Sequence, residues 1–220
     1  SEYAMDVTDA CHAHGVQTVA VTAGYMHDQP RRDFFAKIDA ANVDLKAFTE
    51  DFYFKLTGSH LQPVLDTLIY LKRETQVWLE ITTLLIPGHN DSDEELTALC
   101  HWVRTELGAD VPLHFSAFHP DHKMLNVPAT PRATLVRARN IALKAGLHYV
   151  YTGNVHNAEG DTTYCPACKA TLIARDWYQI NQFRLGAGGH CPDCGAAIAG
   201  RFDSSCGHFG RQRIPISIEA

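Results

Sequence analysis

Asn-Val-Asp-Leu-Lys-Ala-Phe, residues 42–48, places an Asp and a Lys with one residue between them inside an otherwise apolar, strand-like run. Residues two apart in a strand share a face, so Asp44 and Lys46 point the same way. If the apolar residues that alternate with them face surrounding helices, the charged pair faces the interior of a barrel. Charges in such a place are costly unless they hold each other or a ligand. The pair is therefore either a structural ion pair or part of a binding site.

A repeat of strand-like and helical patterns surrounds this stretch. Strands are predicted about 35 residues apart, with helical spacing of apolar residues between them. The spacing predicts parallel strands joined by right-handed crossovers, and the first strand is predicted to be buried. The predicted strands are residues 16–22, 43–48, 77–86, 111–118 and 147–151. We expect an α/β fold, closed as a partial or complete β/α barrel.

Capping residues mark several of the predicted helices. Ser92 and Glu95 have the spacing of a capping box, and Thr130 with Pro131 is typical of a helix start. Gly15 is a natural end for the first helix. The predicted helices are residues 3–14, 30–38, 51–56, 61–72, 92–107 and 130–145.

Composition and charge exclude several classes of function. The 220 residues carry a net charge of −6 and lack the clustered Lys and Arg that phosphate binding needs, so no nucleic-acid partner is expected. No apolar run reaches membrane-spanning length, and no signal peptide is recognised, so no membrane association is expected. Four of the seven cysteines form two Cys-x-x-Cys pairs, which favours metal binding in a reducing cytoplasm over disulfides.

Polar and Gly-rich stretches mark the carboxyl ends of the predicted strands. They are residues 22–24, 44–46, 87–91 and 119–123. In β/α folds the ligand site collects at the carboxyl ends of the strands, so together these stretches favour a ligand with a carboxylate or phosphate. Each residue alone has a simpler interpretation: His119 as a surface histidine, Asn90 and Asp91 as a helix start, and His122 and Lys123 as solvated side chains.

The strongest local signal is a pair of cysteine motifs. Cys165 and Cys168 are followed, after 22 residues, by Cys191 and Cys194, which is the double knuckle of a zinc ribbon. Four cysteines leave no open coordination position, so the metal is expected to stabilise rather than catalyse. A disulfide or an iron site is the alternative. Lys169 stands where a Gly often follows the first knuckle.

The other cysteines lie outside this pattern. Cys11 and Cys100 fall on apolar helix faces and are interpreted as inert core residues. Cys206 is assigned no role.

The ordered run of motifs resembles the radical S-adenosyl-L-methionine enzyme of the AmmeMemoRadiSam system, a family related to the pyruvate formate-lyase activating enzymes. The motifs are VAVTAGY, NVDLKAF, WLEITTLLIPGHNDSDEEL, FSAFHPDHKM, YVYTGNVHNAEGDTTYCPAC and CPDCGAAIAGRF, and the resemblance covers residues 1 to about 202. It implies a (β/α)₆ partial TIM-like barrel in which a [4Fe-4S] cluster reduces S-adenosyl-L-methionine to methionine and a 5′-deoxyadenosyl radical. By the same resemblance Thr22, Asp44, Lys46 and His119 correspond to residues near the cofactor.

The departures from the family pattern are also specific. Val21 and Ala23 replace an Asp and an Asn, and Glu80 replaces an arginine. The Cys-x-x-x-Cys-x-x-Cys motif that binds the cluster occurs nowhere in the 220 residues, and the chain opens with Ser1. We therefore expect residues 1–157 to be the C-terminal part of a barrel (strands three to six plus one), residues 158–202 a zinc-ribbon-like module, and residues 203–220 a tail.

This interpretation leaves the chain incomplete for catalysis, with its cluster ligands upstream. Two other functions remain open: a non-catalytic binding module with structural zinc, or a metal-dependent hydrolase that uses His119, Asp121 and His122. The sequence does not identify the substrate, for which a protein is one candidate.

Overall fold

The computed structural model describes residues 2–202, and the chain divides into two compact units between Val155 and His156. Unit 1, the part before this division, alternates helices and strands. Its helices are α1 (Glu2–Ala13), α2 (Asp28–Phe35), α3 (Glu50–Phe52), α4 (Gln62–Glu74), α5 (Asp93–Trp102) and α6 (Arg132–Lys144). Its strands are β1 (Val19–Thr22), β2 (Ala40–Asp44), β3 (Trp78–Leu85), β4 (Leu113–Ala117) and β5 (Val150–Gly153).

The five strands of unit 1 form one parallel sheet in the order β1-β2-β3-β4-β5. Each strand pairs with the next one in sequence, and the intervals between them contain helices, as βαβ units require. Right-handed crossovers between consecutive strands place the connecting helices on one face of the sheet. The predicted α/β fold with parallel strands is confirmed.

The hydrophobic core lies between the sheet and these helices. Alternate residues of each strand are buried there: Val43 and Leu45 are fully buried, as are Ile81, Leu113 and Phe115. The helices contribute Leu68, Leu71, Leu96, Leu99, Leu135 and Ala138 to the same core. Burial of such side chains is the main stabilising term, at about 25 cal/mol for each Å² of apolar surface removed from water.

Two predictions about strands were wrong in detail. Val19 and Val21 of β1 are 66% and 78% exposed, because β1 is an edge strand and these residues lie on the face opposite to the buried Ala20. The second strand ends at Asp44 rather than at residue 48, so Lys46 lies just beyond it.

Of the predicted caps, that at Thr130 is wrong: α6 begins at Arg132 without a side-chain cap, and the Thr130 hydroxyl instead accepts a hydrogen bond from the Phe118 N–H and donates to the Leu85 carbonyl. The ends marked by Ser92 and Gly15 are confirmed. The Ser92 hydroxyl accepts a hydrogen bond from the Glu95 N–H at 3.2 Å, and Gly15 has a φ of +72° after α1. Both α3 and α5 continue into π-helical turns, Tyr53–Thr57 and Val103–Leu107. None of the helices between Glu2 and Phe202 is both long and apolar enough to cross a membrane.

Unit 2, described from His156 to Phe202, contains three antiparallel strands, β6 (Thr163–Tyr164), β7 (Thr171–Asp176) and β8 (Gln179–Phe183). Residues 177–180 have a strand-like sequence, but Trp177 has a φ of +53° and forms the turn between β7 and β8. The predicted tail, residues 203–220, and Cys206 lie outside the described residues.

Candidate functional site

Asp44 and Lys46 form an ion pair at the carboxyl end of β2. Lys46 Nζ lies 2.7 Å from Asp44 Oδ2, and the two side chains are 39% and 35% exposed. The intervening Leu45 and the adjacent Val43 are fully buried on the helix side of the sheet. The alternation predicted from the sequence is thus present, and the charged pair lies on the opposite, open side of this strand end.

The backbone around Lys46 is held by hydrogen bonds to side chains rather than by backbone hydrogen bonds of a strand pair. The Leu45 carbonyl accepts a hydrogen bond from Thr83 Oγ1 at 2.8 Å. The Lys46 N–H donates to Tyr53 Oη at 3.1 Å, and the Lys46 carbonyl accepts from Asn90 Nδ2 at 2.6 Å. These three bonds explain why the strand can end at Asp44 while the alternation of faces continues.

Asn90 is buried like Thr83 and Tyr53, at 2% exposure, and makes the most hydrogen bonds of the three. Besides its bond to Lys46, its Nδ2 donates to the Leu84 carbonyl at 2.9 Å, and its Oδ1 accepts from the Ile86 N–H at 2.7 Å. It thereby joins the end of β3 to the residues that follow β2. The sequence suggested only a helix start for Asn90, because its partners are 44 residues away or lie in the backbone of its own turn.

Glu95 adds a second link from α5 to the same segment. Its carboxylate does not close the capping box but accepts a hydrogen bond from the Phe48 N–H at 2.6 Å. Burial raises the pKa of Glu95, although the Phe48 N–H opposes that shift. Burial also raises the pKa of Tyr53 to about 12, so its phenol stays protonated near neutral pH. Sequence analysis did not identify the hydrogen bonds of Glu95 and Tyr53 to the segment after β2, because each residue fitted the pattern of its own helix.

Thr22 and His119 also lie at strand ends. The Thr22 hydroxyl accepts a hydrogen bond from the Gly24 N–H at 3.1 Å, and Thr22 is in register with Val43 rather than with Asp44. His119 follows β4 by two residues, is exposed, and makes no hydrogen bond to another residue of the described chain. For both residues a cofactor-binding role stays a prediction.

The four cysteines of unit 2 converge on one point. Their sulfur atoms all lie within 4.8 Å of one another, with Cys165–Cys194 and Cys168–Cys191 Sγ separations of 3.6 Å. Sulfurs placed 2.3 Å from a tetrahedral zinc ion are about 3.8 Å apart, so the observed spacing suits a tetrathiolate metal site. In residues 2–202 no second group of three or more His, Cys, Asp or Glu ligand atoms is as close, and His119, Asp121 and His122 do not form one.

The two cysteine knuckles have the same backbone hydrogen bonds. In each, the residue four positions on donates its N–H to the first Cys carbonyl, Lys169 to Cys165 and Gly195 to Cys191, at 3.0 and 2.9 Å. The first Cys N–H of each then donates to the residue five positions on, at 2.9 Å in both cases. This repetition aims two pairs of thiols at one centre.

The thiols differ in how readily they ionise. Burial acts to raise the pKa of Cys165, but the backbone N–H groups of Cys168 and Ala167 lower it to about 7. The Ala196 N–H acts to lower the pKa of Cys194, but the neighbouring thiols, that of Cys168 foremost, raise it to about 12. One thiolate therefore forms easily, and its negative charge opposes ionisation of the next thiol. Four thiolates can coexist only with a cation between them.

Lys169 offers a test of the knuckle geometry. Its φ is +63°, the left-handed conformation that Gly195 adopts at the equivalent position with φ +76°. Lys169→Gly should stabilise metal-loaded unit 2 by about 0.5–1 kcal/mol, because relief of the left-handed backbone outweighs the entropy that glycine adds to the unfolded chain. Gly195→Ala should destabilise it by about 1 kcal/mol, since a Cβ there meets nothing within 4 Å and only the backbone cost remains. Thermal unfolding of the two variants measures both, and equal signs would contradict the interpretation.

The remaining described cysteines lie apart from this centre. Cys100 is fully buried in the core, and burial raises its pKa to about 12, which agrees with the inert role predicted for it. Cys11 on α1 is partly exposed rather than buried.

The chain is similar in sequence to proteins that are longer than it. No protein-family model matches. An uncharacterized protein, MJ0808 of Methanocaldococcus jannaschii, is 41% identical over 198 residues, which are 90% of this chain and 58% of that protein. A putative glycyl-radical enzyme activating enzyme of the same organism, MJ1632, is 31% identical over 114 residues, or 49% of this chain and 42% of that protein. The chain thus spans only about half the length of these relatives.

Comparisons of structure give the same fold in two solved proteins. A domain of pyruvate-formate lyase-activating enzyme from Bacteroides vulgatus matches with a TM-score of 0.61 at 14% identity, covering 70% of this chain and 91% of that domain. A radical SAM methyltransferase from Sphaerobacter thermophilus matches with a TM-score of 0.50 at 18% identity, covering 67% of this chain and 43% of that protein. The chain therefore has an α/β fold whose structural neighbours are activating and radical SAM enzymes, and its homologues include MJ1632, which is named as a putative glycyl-radical enzyme activating enzyme.

Proposed function

We propose that this chain is the C-terminal part of a radical S-adenosyl-L-methionine enzyme of the activating-enzyme type, related to the enzyme of the AmmeMemoRadiSam system. The observation that carries the proposal is the Asp44–Lys46 pair. It lies at the carboxyl end of a strand of a parallel sheet, open on one side and fixed from behind by Thr83, Tyr53 and Asn90. Ligands of such sheets bind at the carboxyl ends of the strands.

The pair suits the amino-acid end of S-adenosyl-L-methionine. That end carries an ammonium and a carboxylate, and Lys46 and Asp44 offer one charge of each sign within 2.7 Å of each other. A ligand with both charges can exchange the internal ion pair for two intermolecular ones, so neither charge is left without a counterion. We propose Thr22 and His119 as further residues that bind the same cofactor.

The iron–sulfur cluster does not fit the described residues 2–202. Three thiolates with an open iron position are needed, whereas the four-cysteine group of unit 2 is a closed set, Cys100 is buried, and Cys11 belongs to no group of three ligands. When bound by residues outside this chain, a [4Fe-4S] cluster would supply the electron that cleaves S-adenosyl-L-methionine to methionine and a 5′-deoxyadenosyl radical. We propose zinc as the structural metal of unit 2.

The proposal predicts a difference between this chain and the gene product that contains it. After anaerobic reconstitution with iron and sulfide, residues 1–220 should form no 5′-deoxyadenosine from S-adenosyl-L-methionine. The gene product with an upstream Cys-x-x-x-Cys-x-x-Cys segment should form it. In that protein Asp44→Asn and Lys46→Met should each raise the KM for S-adenosyl-L-methionine by about tenfold or more, equivalent to about 1.4 kcal/mol of lost binding.

A matched ion pair on the surface provides the control. Asp51 and Lys55 pair at 2.7 Å on the first turn after β2 but are 72% and 65% exposed. Asp51→Asn and Lys55→Met should leave the KM unchanged, since exposed pairs contribute little. Formation of 5′-deoxyadenosine by residues 1–220 alone would refute the proposal, as would Asp44 and Lys46 variants that behave like the surface variants.

A further inference from the structure

A second set of polar residues lies on the same face of the sheet as Asp44. Asp44 is in register with Thr82, Thr82 with His114, and His114 with Tyr151, so these four residues form one row across β2–β5. Neighbours in register point to the same face. Glu80 precedes Thr82 by two residues on β3 and therefore shares that face. The buried core occupies the other face, so this polar row is not needed to hold helices against the sheet.

Glu80 is fixed at both carboxylate oxygens. Its Oε1 accepts a hydrogen bond from Trp78 Nε1 at 3.0 Å, and its Oε2 lies 2.8 Å from His114 Nε2. A carboxylate accepts hydrogen bonds, so in the neutral imidazole the proton belongs on Nε2. The lone pair of His114 is then on Nδ1.

The His114 ring is also fixed in orientation. It stacks on Tyr151 with ring centroids 5.1 Å apart and an angle of 25° between the planes. The His114 and Glu80 side chains keep 29% and 34% of their surface accessible. A histidine that is clamped by a carboxylate and a ring, yet remains accessible, is arranged for contact with a ligand more than for core packing.

We infer that Glu80 and His114 form a substrate-binding pair on the open face of the sheet, in which His114 Nδ1 accepts a hydrogen bond from an N–H or O–H group of the substrate. This inference rests on the proposed function only in calling the ligand the substrate of that enzyme. It assigns a polar, hydrogen-bond-donating group to the part of the substrate that contacts His114, which lies in the same row as Asp44, two strands away. Glu80 acts through His114 as a positioning residue.

The tautomer of His114 tests the first part of the inference. In residues 1–220 labelled with ¹⁵N-histidine, long-range ¹H–¹⁵N correlation at alkaline pH should show His114 as the Nε2–H tautomer. His148 is an internal control, because its Nδ1 is 2.8 Å from Asp110 and it should show the opposite Nδ1–H tautomer. Glu80→Gln keeps an acceptor oxygen and should keep the tautomer, whereas Glu80→Leu should give a mixture. An Nδ1–H tautomer in the unmodified chain would overturn the inference.

Access to Nδ1 tests the second part. Diethyl pyrocarbonate, which acylates imidazole nitrogens that carry a lone pair, should modify His114 at Nδ1 at a rate within about tenfold of that of exposed His101, as read by peptide mass spectrometry. Glu80→Leu should slow this acylation several-fold and Glu80→Gln should not. If His114 in the folded chain reacted at least 100-fold more slowly than His101, the Glu80–His114 pair would be purely structural. Neither measurement involves S-adenosyl-L-methionine, so failure here is distinct from failure of the proposed function.

Discussion

Cys191→Ser should remove the bound metal from unit 2 and unfold that unit. Cys191 is 2% exposed, and its sulfur lies 3.6 Å from that of Cys168 across the site. A serine hydroxyl is a poor ligand for zinc compared with a thiolate, and the three remaining cysteines leave the ion open to water. Since structural zinc sites contribute on the order of 10 kcal/mol to folding, a unit this small has no comparable reserve.

The measurement combines metal content with hydrogen exchange. The unmodified chain should carry one metal ion per chain after purification under reducing conditions, and Cys191→Ser should carry none. Amide protection in β7 and β8 should fall to that of an unfolded chain, while protection in β2–β4 of unit 1 should persist. Removal of the metal by a strong chelator should reproduce the variant. Because a tetrathiolate site accepts either zinc or iron, elemental analysis of the same sample identifies the metal.

Cys11→Ser supplies the matched control, because Cys11 is a partly exposed thiol of unit 1 outside the four-cysteine group. It should retain one metal per chain and full protection of unit 2. If Cys191→Ser still bound one equivalent of metal with β7 and β8 protected, the four-cysteine site would not be what holds unit 2 together.

The parts of this structure that the sequence predicted are those encoded within a few neighbouring residues. The Ser92 cap, the knuckles around Cys165 and Cys191, and the alternation around Leu45 each depend on spacing of five residues or fewer. Local hydrogen bonds and the two-residue period of a strand act at that range, so a single sequence is sufficient.

The parts that were missed depend on residues far apart in the chain. Glu95 fitted a capping box, yet its carboxylate bonds to Phe48, 47 positions earlier. Glu80 and His114 are 34 positions apart and meet only because β3 and β4 pair in register. Val19 and Val21 looked like core residues because their apolar character does not reveal that β1 is an edge strand. Strand order and register decide such contacts, and neither is visible in the spacing of one segment.

Asn90 is where these long-range contacts have the largest expected effect on unit 1. Its side chain satisfies the Ile86 N–H and the Leu84 and Lys46 carbonyls in a site with 2% exposure. The bond to the Ile86 N–H is buried and the bonds to the two carbonyls are partly buried, so a shortened side chain leaves these backbone groups without their protein partner. Each buried polar group left in that state costs about 1–3 kcal/mol.

Asn90→Ala should therefore lower the free energy of unfolding of unit 1 by about 3 kcal/mol or more, and Asn90→Asp by at least as much, because a carboxylate has the same shape but cannot donate to the two carbonyls. Urea denaturation followed by Trp78 and Trp102 fluorescence in a Trp177→Phe background reports on unit 1. Asn140→Ala is the matched control, since Asn140 is exposed on α6 and its loss should change stability by less than about 0.5 kcal/mol. A cost below about 1 kcal/mol for Asn90→Ala would mean that the backbone after β2 does not depend on Asn90. The Lys46 carbonyl is one of the three groups released, so Asn90→Ala should also displace Lys46 from Asp44. If the variant lost stability while the Asp44–Lys46 ion pair kept its position, the role of Asn90 would be structural and separate from the site.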